Sequence, residues 1–222
     1  VKHSLKGKMM STKLSLSIAF VLIALAALIG AALFNQLPDP MPSHWNAAGQ
    51  VDDTMSKPWG VFFLPLFTAG LTLLLAAVPA IDPLKANIAK FRSLYNLFIV
   101  GFVVFMLYVY GLTLAAALGA NFNMTLMLLP MMGLLFIGLG YFMKSIKRNY
   151  FIGIRTPWTL SSDEIWDKTH ALGAKTFIAG GIAILLSAFL GEAGLWLMLP
   201  ALLLAALVPI VYSYLLFARQ EK

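Results

Sequence analysis

The 222 residues include no cysteine. That excludes disulfide frameworks, thiolate nucleophiles and Cys-ligated zinc, and it leaves no redox marker for the compartment. Charge is also scarce. Only 11% of the residues are charged and 60% are hydrophobic, against about 25% charged in an ordinary soluble domain. Enzyme signatures are missing: there is no H-E-x-x-H, no G-x-S-x-G and no phosphate-binding glycine loop. The chain therefore reads as a non-enzyme for which no cofactor is expected. No ionised side chain falls inside a long apolar run, which argues against a proton-coupled carrier but not against a passive pore. The net charge is +7, yet the basic residues sit in short loops between apolar runs rather than on one folded face. Direct nucleic-acid binding is not implied.

What is present is a series of apolar runs long enough to cross a bilayer, which takes about 20 residues at 1.5 Å each. They are Leu14–Phe34, Gly60–Ile81, Leu97–Leu118, Leu126–Met143, Thr176–Leu190 and Leu195–Phe217. The expected fold is all-α, a polytopic bundle of six membrane helices, because only helices satisfy their own backbone in hydrocarbon and the runs lack the period-two alternation of a barrel. The fifth run is short and reaches full length only if it begins near Ala171 with Lys175 snorkelling to the headgroups. The first run exceeds a signal-peptide core and is read as an uncleaved anchor. An initial Val with Met9 and Met10 close behind suggests an unusual start, so Val1–Met10 is set aside from the fold. Small pairs at four-residue spacing, Ala26 with Gly30 and Ala115 with Gly119, suggest close helix contacts.

Charge sets the expected orientation. With both termini cytoplasmic, the inner segments hold Lys2, Lys6, Lys8 and Lys13; Lys85, Lys90 and Arg92; Lys144, Lys147, Arg148, Arg155, Lys168 and Lys175; and Arg219 and Lys222. Of the 16 basic residues, Lys57 alone falls outside. Every loop obeys the positive-inside rule. The chain then divides into a basic N-terminus (1–13), a two-helix unit (14–81) with an outer loop (35–59), and a four-helix unit (97–217) with an inner loop (144–175). Glu192 falls in a tight outer turn.

The outer loop reads NQLPDPMPSHWNAAGQVDDTMSKPW. Pro38, Pro40 and Pro42 stiffen its start and Gly49 supplies a turn. His44, Trp45, Asn46, Asp52 and Asp53 are the candidates for docking a ligand there. A rigid linker on the helix ends is the plainer alternative. A metal site of His44 with Asp52 or Asp53 is a further one, on a thin ligand set.

The inner loop reads KSIKRNYFIGIRTPWTLSSDEIWDKTHALGAK. Its lysines attract anionic headgroups. Ser161 with Glu164 has the capping-box spacing, so a short interfacial helix is expected from Ser162 to Leu172, ending at Gly173. Arg155 and His170 are the best candidates for specific contacts, with a surface Arg and a His bonded to Asp167 as the plain alternative. The segment Asp82–Asn96 reads as a basic interfacial helix.

The motif NYFIGIRTPWTLSSDEIWDKTHALGAK resembles the SdpI family of bacterial membrane immunity proteins, and PMPSHWNAAGQVDD followed by Lys57-Pro58 is similar to a small membrane domain of unknown function that often precedes it. The resemblance implies a multi-pass cell-membrane protein of a prokaryote that protects against a secreted, cannibalism-type peptide toxin outside. It also implies a sensor that holds a cytoplasmic transcriptional repressor at the membrane. Carried onto this sequence, Asn149, Arg155, Thr156, Pro157, Trp158 and Thr159 form the signalling face, and Trp166, Thr169, His170 and Gly173 complete the pattern. Membrane lipid, the toxin and a repressor are the implied partners. A small transporter or channel is the alternative function, and a metal-dependent membrane enzyme a weaker one.

Overall fold

The computed structural model describes residues 10–220. Lys2, Lys6, Lys8 and Lys222 lie outside the described residues, as does the side chain of Glu192. Among the described residues, six helices are long and apolar enough to cross a membrane. They are α1 (Thr12–Leu33), α2 (Lys57–Ile81), α4 (Arg92–Ala117), α5 (Met124–Met143), α7 (Asp163–Ser187) and α8 (Gly194–Gln220), with the short helices α3 (Lys85–Ala89) and α6 (Pro157–Ser161) between them. Even α5, at 20 residues, rises about 30 Å, the thickness of a hydrocarbon core. Leu28, Leu66, Leu73, Leu203 and Leu204 are exposed on outer faces, as lipid-facing positions are. The chain is an all-α, multi-pass membrane protein.

Polar side chains buried in the spans close on their own helix. The Thr68 hydroxyl donates to the Leu64 carbonyl and Thr72 to Thr68, both at 2.7 Å. Thr113, Ser187 and Ser213 do the same one turn back. Where no water competes, such bonds remove the penalty of a bare hydroxyl.

Helices α1, α2 and α4 pack on one another, and α5, α7 and α8 form a second packed set. A glycine seam closes the second set. A Cβ on Gly133 would lie 2.7 Å from the Gly181 carbonyl oxygen, one on Gly181 2.7 Å from that of Gly133, and one on Gly140 2.8 Å from that of Ala174. Backbone meets backbone there, which only glycine permits. Of the expected small pairs, Gly30 does abut Tyr110 and Val61, but a Cβ on Gly119 would meet nothing.

Four sequence expectations are corrected. First, the outer loop is not merely an extended linker. Met41–Trp45 (β1) and Val51–Met55 (β2) form an antiparallel hairpin that turns at Gly49, φ +75°. Met41 is fully buried and seats the hairpin on Gly60. Second, there is no separate surface helix ending at Gly173. α7 runs unbroken from Asp163 to Ser187, and Gly173 is there because a Cβ would press on Ile154, 2.7 Å away. Third, the expected capping box is displaced. Ser162, not Ser161, caps α7, Glu164 pairs with Lys168 at 2.6 Å, and the capping box belongs to Thr156 and Thr159 on α6. Fourth, the basic interfacial helix shrinks to α3, with Ile88 and Phe91 buried and α4 already begun at Arg92.

Candidate functional site

The two ends of the bundle are built differently. At one end the hairpin lies across the helix tips. The Asn123 amide donates to the Ala48 carbonyl at 2.7 Å, and its carboxamide oxygen caps α5 by accepting from Leu126 N–H at 3.0 Å. One side chain thus fixes both the hairpin tip and the start of α5. β1 packs on α2 and α4, while β2 is exposed from Val51 to Thr54.

His44 Nδ1 lies 2.6 Å from Asp52 Oδ1, both side chains well exposed. Asp53 accepts from Thr54 N–H at 2.7 Å, and the Asn46 carboxamide oxygen accepts from Gln50 N–H at 3.1 Å. Among the described residues, no three His, Asp or Glu side chains converge as a metal site would require. Beside the tip, Ala47 and Ala48 face Leu195, Trp196 and Leu199 across an apolar hollow of about 420 Å³. A smaller one, about 180 Å³, lies under the strands between Trp45, Trp59 and Phe63. Trp196 and Trp59 are 79% and 62% exposed, so this end offers aromatic surface beside two carboxylates.

At the opposite end the segment Lys144–Thr156 is tied into a knot. Asn149 is fully buried. Its oxygen accepts from Phe151 and Ile152 N–H at 3.0 and 2.6 Å, and its amide donates to the Lys147 and Ile152 carbonyls. Asp82, also buried, accepts from Leu84 N–H at 2.6 Å and Tyr150 N–H at 2.8 Å. It pins the knot to the end of α2.

His170 holds the other flank. Its Nε2 accepts from Ile154 N–H at 3.0 Å, so that nitrogen carries no proton. Nδ1, 2.8 Å from the Trp166 carbonyl, must then be the donor, and the network assigns a neutral ring. The ring stacks on Trp166 with centroids 4.1 Å apart, and Trp166 Nε1 donates to the Ile146 carbonyl at 3.0 Å. Gly153 must be glycine twice over: its φ is +104° and a Cβ would strike His170 Nε2. The Thr159 hydroxyl donates to the Ile154 carbonyl at 2.9 Å and accepts from Thr156 N–H at 2.8 Å, and Thr156 bonds Ser213 of α8 at 3.2 Å.

Asn149, Thr156, Thr159, Trp166, Thr169 and His170 are therefore interior. As they stand they cannot touch a partner. Arg155 and Pro157 are exposed and Trp158 half-buried. Arg155 donates to the Tyr150 carbonyl at 2.8 Å, holding Tyr150 and Phe151, both exposed, at the apex. Sequence reasoning missed Asp82, Asn123, Tyr150 and Phe151. The aromatic pair beside a glycine turn was the available signal.

Residues 145–213, which contain the knot, α6, α7 and most of α8, match the SdpI/YfhL protein family. Residues 21–69, which span most of α1, the hairpin and half of α2, match a domain of unknown function (DUF1648). Over 201 residues the chain is 28% identical to the Immunity protein SdpI of Bacillus subtilis (strain 168), covering 89% of this chain and 93% of that protein. No solved structure matches it.

Proposed function

We propose that this chain is a bacterial membrane immunity protein that protects the cell carrying it against a secreted antimicrobial peptide. One observation carries the reading: the similarity to a protein named for immunity runs through nearly the whole chain, hairpin and knot included. The basic end faces the cytoplasm and the hairpin end faces out, because lysine and arginine are retained inside. The toxin then meets His44, Trp45, Asn46, Asp52 and Asp53 together with the aromatic hollows behind them.

A sensing role is proposed at the other end. The repressor docks on the exposed apex, Tyr150, Phe151, Arg155, Pro157 and the edge of Trp158. The buried members of the motif, Asn149, Thr156, Thr159, Trp166, Thr169 and His170, act by shaping that apex. Expressing the chain in a toxin-sensitive host and challenging it with secreted peptides tests the first claim. Survival at doses that kill the empty host is the expected result, and unchanged killing across the peptides removes the immunity reading. A fluorescent repressor that stays soluble when toxin and chain are both present removes the sensing role alone.

A further inference from the structure

A cavity of about 590 Å³ forms a cleft on the outer flank of the α5–α7 seam at the basic end. Its walls change character with depth. Lys144, Lys147 and Lys175 stand at the mouth, and Ile178, Ala179 and Ile182 run below them. On α7 the lining positions Lys175, Ile178, Ala179 and Ile182 follow the i, i+3, i+4, i+7 stripe of one helical face. Ala179 leaves the hollow that a larger residue would fill.

Among the described residues, the charged side chains lining the cleft are Lys144, Lys147, Lys175 and Asp167. Lys147 shares Asp167, at 3.2 Å. Lys144 lies 4.6 Å over the Tyr141 ring. Lys175 has no ion-pair partner among the described residues. His170 borders the cleft, but both of its nitrogens are engaged and the ring is neutral. Three cations against one carboxylate leave an excess of positive charge above an apolar trough.

We infer that this cleft holds one anionic phospholipid, its phosphate among Lys144, Lys147 and Lys175 and an acyl chain along Ile178, Ala179 and Ile182. Charge complementarity selects the headgroup. The apolar lower wall selects a lipid over a free phosphate, which would leave Ile178, Ala179 and Ile182 unused. Basic pockets between membrane helices are recognised lipid sites on this physical ground. The inference concerns the seam and not the hairpin, so it stands or falls separately from immunity.

Native mass spectrometry of the purified full chain, delipidated and then titrated with phosphatidylglycerol or phosphatidylcholine, tests it. One phosphatidylglycerol per chain should persist where phosphatidylcholine is lost. Each of Lys144→Gln, Lys147→Gln and Lys175→Gln should weaken retention about fivefold. Ala179→Phe, which fills the trough without touching charge, should abolish it. The double variant Lys85→Gln/Lys90→Gln, equally basic but away from the cleft, should change nothing. Equal retention of both lipids by the unaltered chain overturns the inference whether or not any variant folds. So does an effect of the Lys85/Lys90 pair as large as that of the cleft lysines, or displacement of the lipid by millimolar glycerol phosphate.

Discussion

Replacing His170 tests whether the motif works as an interior knot. The ring supplies an acceptor for Ile154 N–H at 3.0 Å and a stacked partner for Trp166 at 4.1 Å, and it is almost fully buried. His170→Phe keeps a stacked ring and removes both the acceptor for Ile154 N–H and the Nδ1 donor to the Trp166 carbonyl; of the two, only the Ile154 N–H is a donor left stranded. A donor stranded in the interior costs about 1–3 kcal/mol. Because Ile154 is only part-buried, the lower half of that range is expected, about 1–2 kcal/mol. His170→Ala also opens a cavity beneath Trp166, and ring-to-alanine changes in cores cost about 3–5 kcal/mol. Unfolding in mixed lipid–detergent micelles should rank wild type above Phe and Phe above Ala. Amide exchange at Ile154 should quicken in both variants. An Ile154 amide as protected in His170→Phe as in wild type would refute the reasoning, since the bond would then contribute nothing.

Gly181→Val should destabilise α5 against α7 by about 1–3 kcal/mol, because its Cβ would sit 2.7 Å from the Gly133 carbonyl; thermal unfolding in detergent reads this. Asp82→Asn leaves one of two N–H groups, Leu84 or Tyr150, without a good acceptor. It should lower stability by about 1–3 kcal/mol and loosen proteolytic protection around Tyr150. His44→Ala breaks an exposed pair, so stability should move by less than about 1 kcal/mol. In the immunity assay, Trp45→Ala with Asp53→Ala should lower the protective dose at unchanged membrane level.

Six spans were legible because an apolar run near 20 residues has few other uses. The hairpin was not, since Pro42 in β1 and Asp52 with Asp53 in β2 are poor strand formers. The strands exist because Met41 anchors under Gly60 and Asn123 grips the tip, contacts that no local pattern contains. The continuity of α7 was hidden for a related reason. Gly173 reads as a helix end, but the side chains that Gly173, Gly180 and Gly181 lack let Ile154, α8 and α5 approach. The motif around Arg155 was visible as a motif. Its burial was not, because His170 finds its partners at Trp166 and Ile154 rather than at the nearby Asp167 that the sequence suggests.

The proposed toxin and repressor roles both need a two-sided arrangement, and a chain without cysteine makes it directly measurable. Single cysteines placed at Asp53 and at Arg155 would be labelled on intact cells with a membrane-impermeant maleimide. The account predicts that Asp53→Cys reacts at once and Arg155→Cys only after the membrane is opened. Labelling of Arg155→Cys on sealed cells, with Asp53→Cys protected, would contradict it.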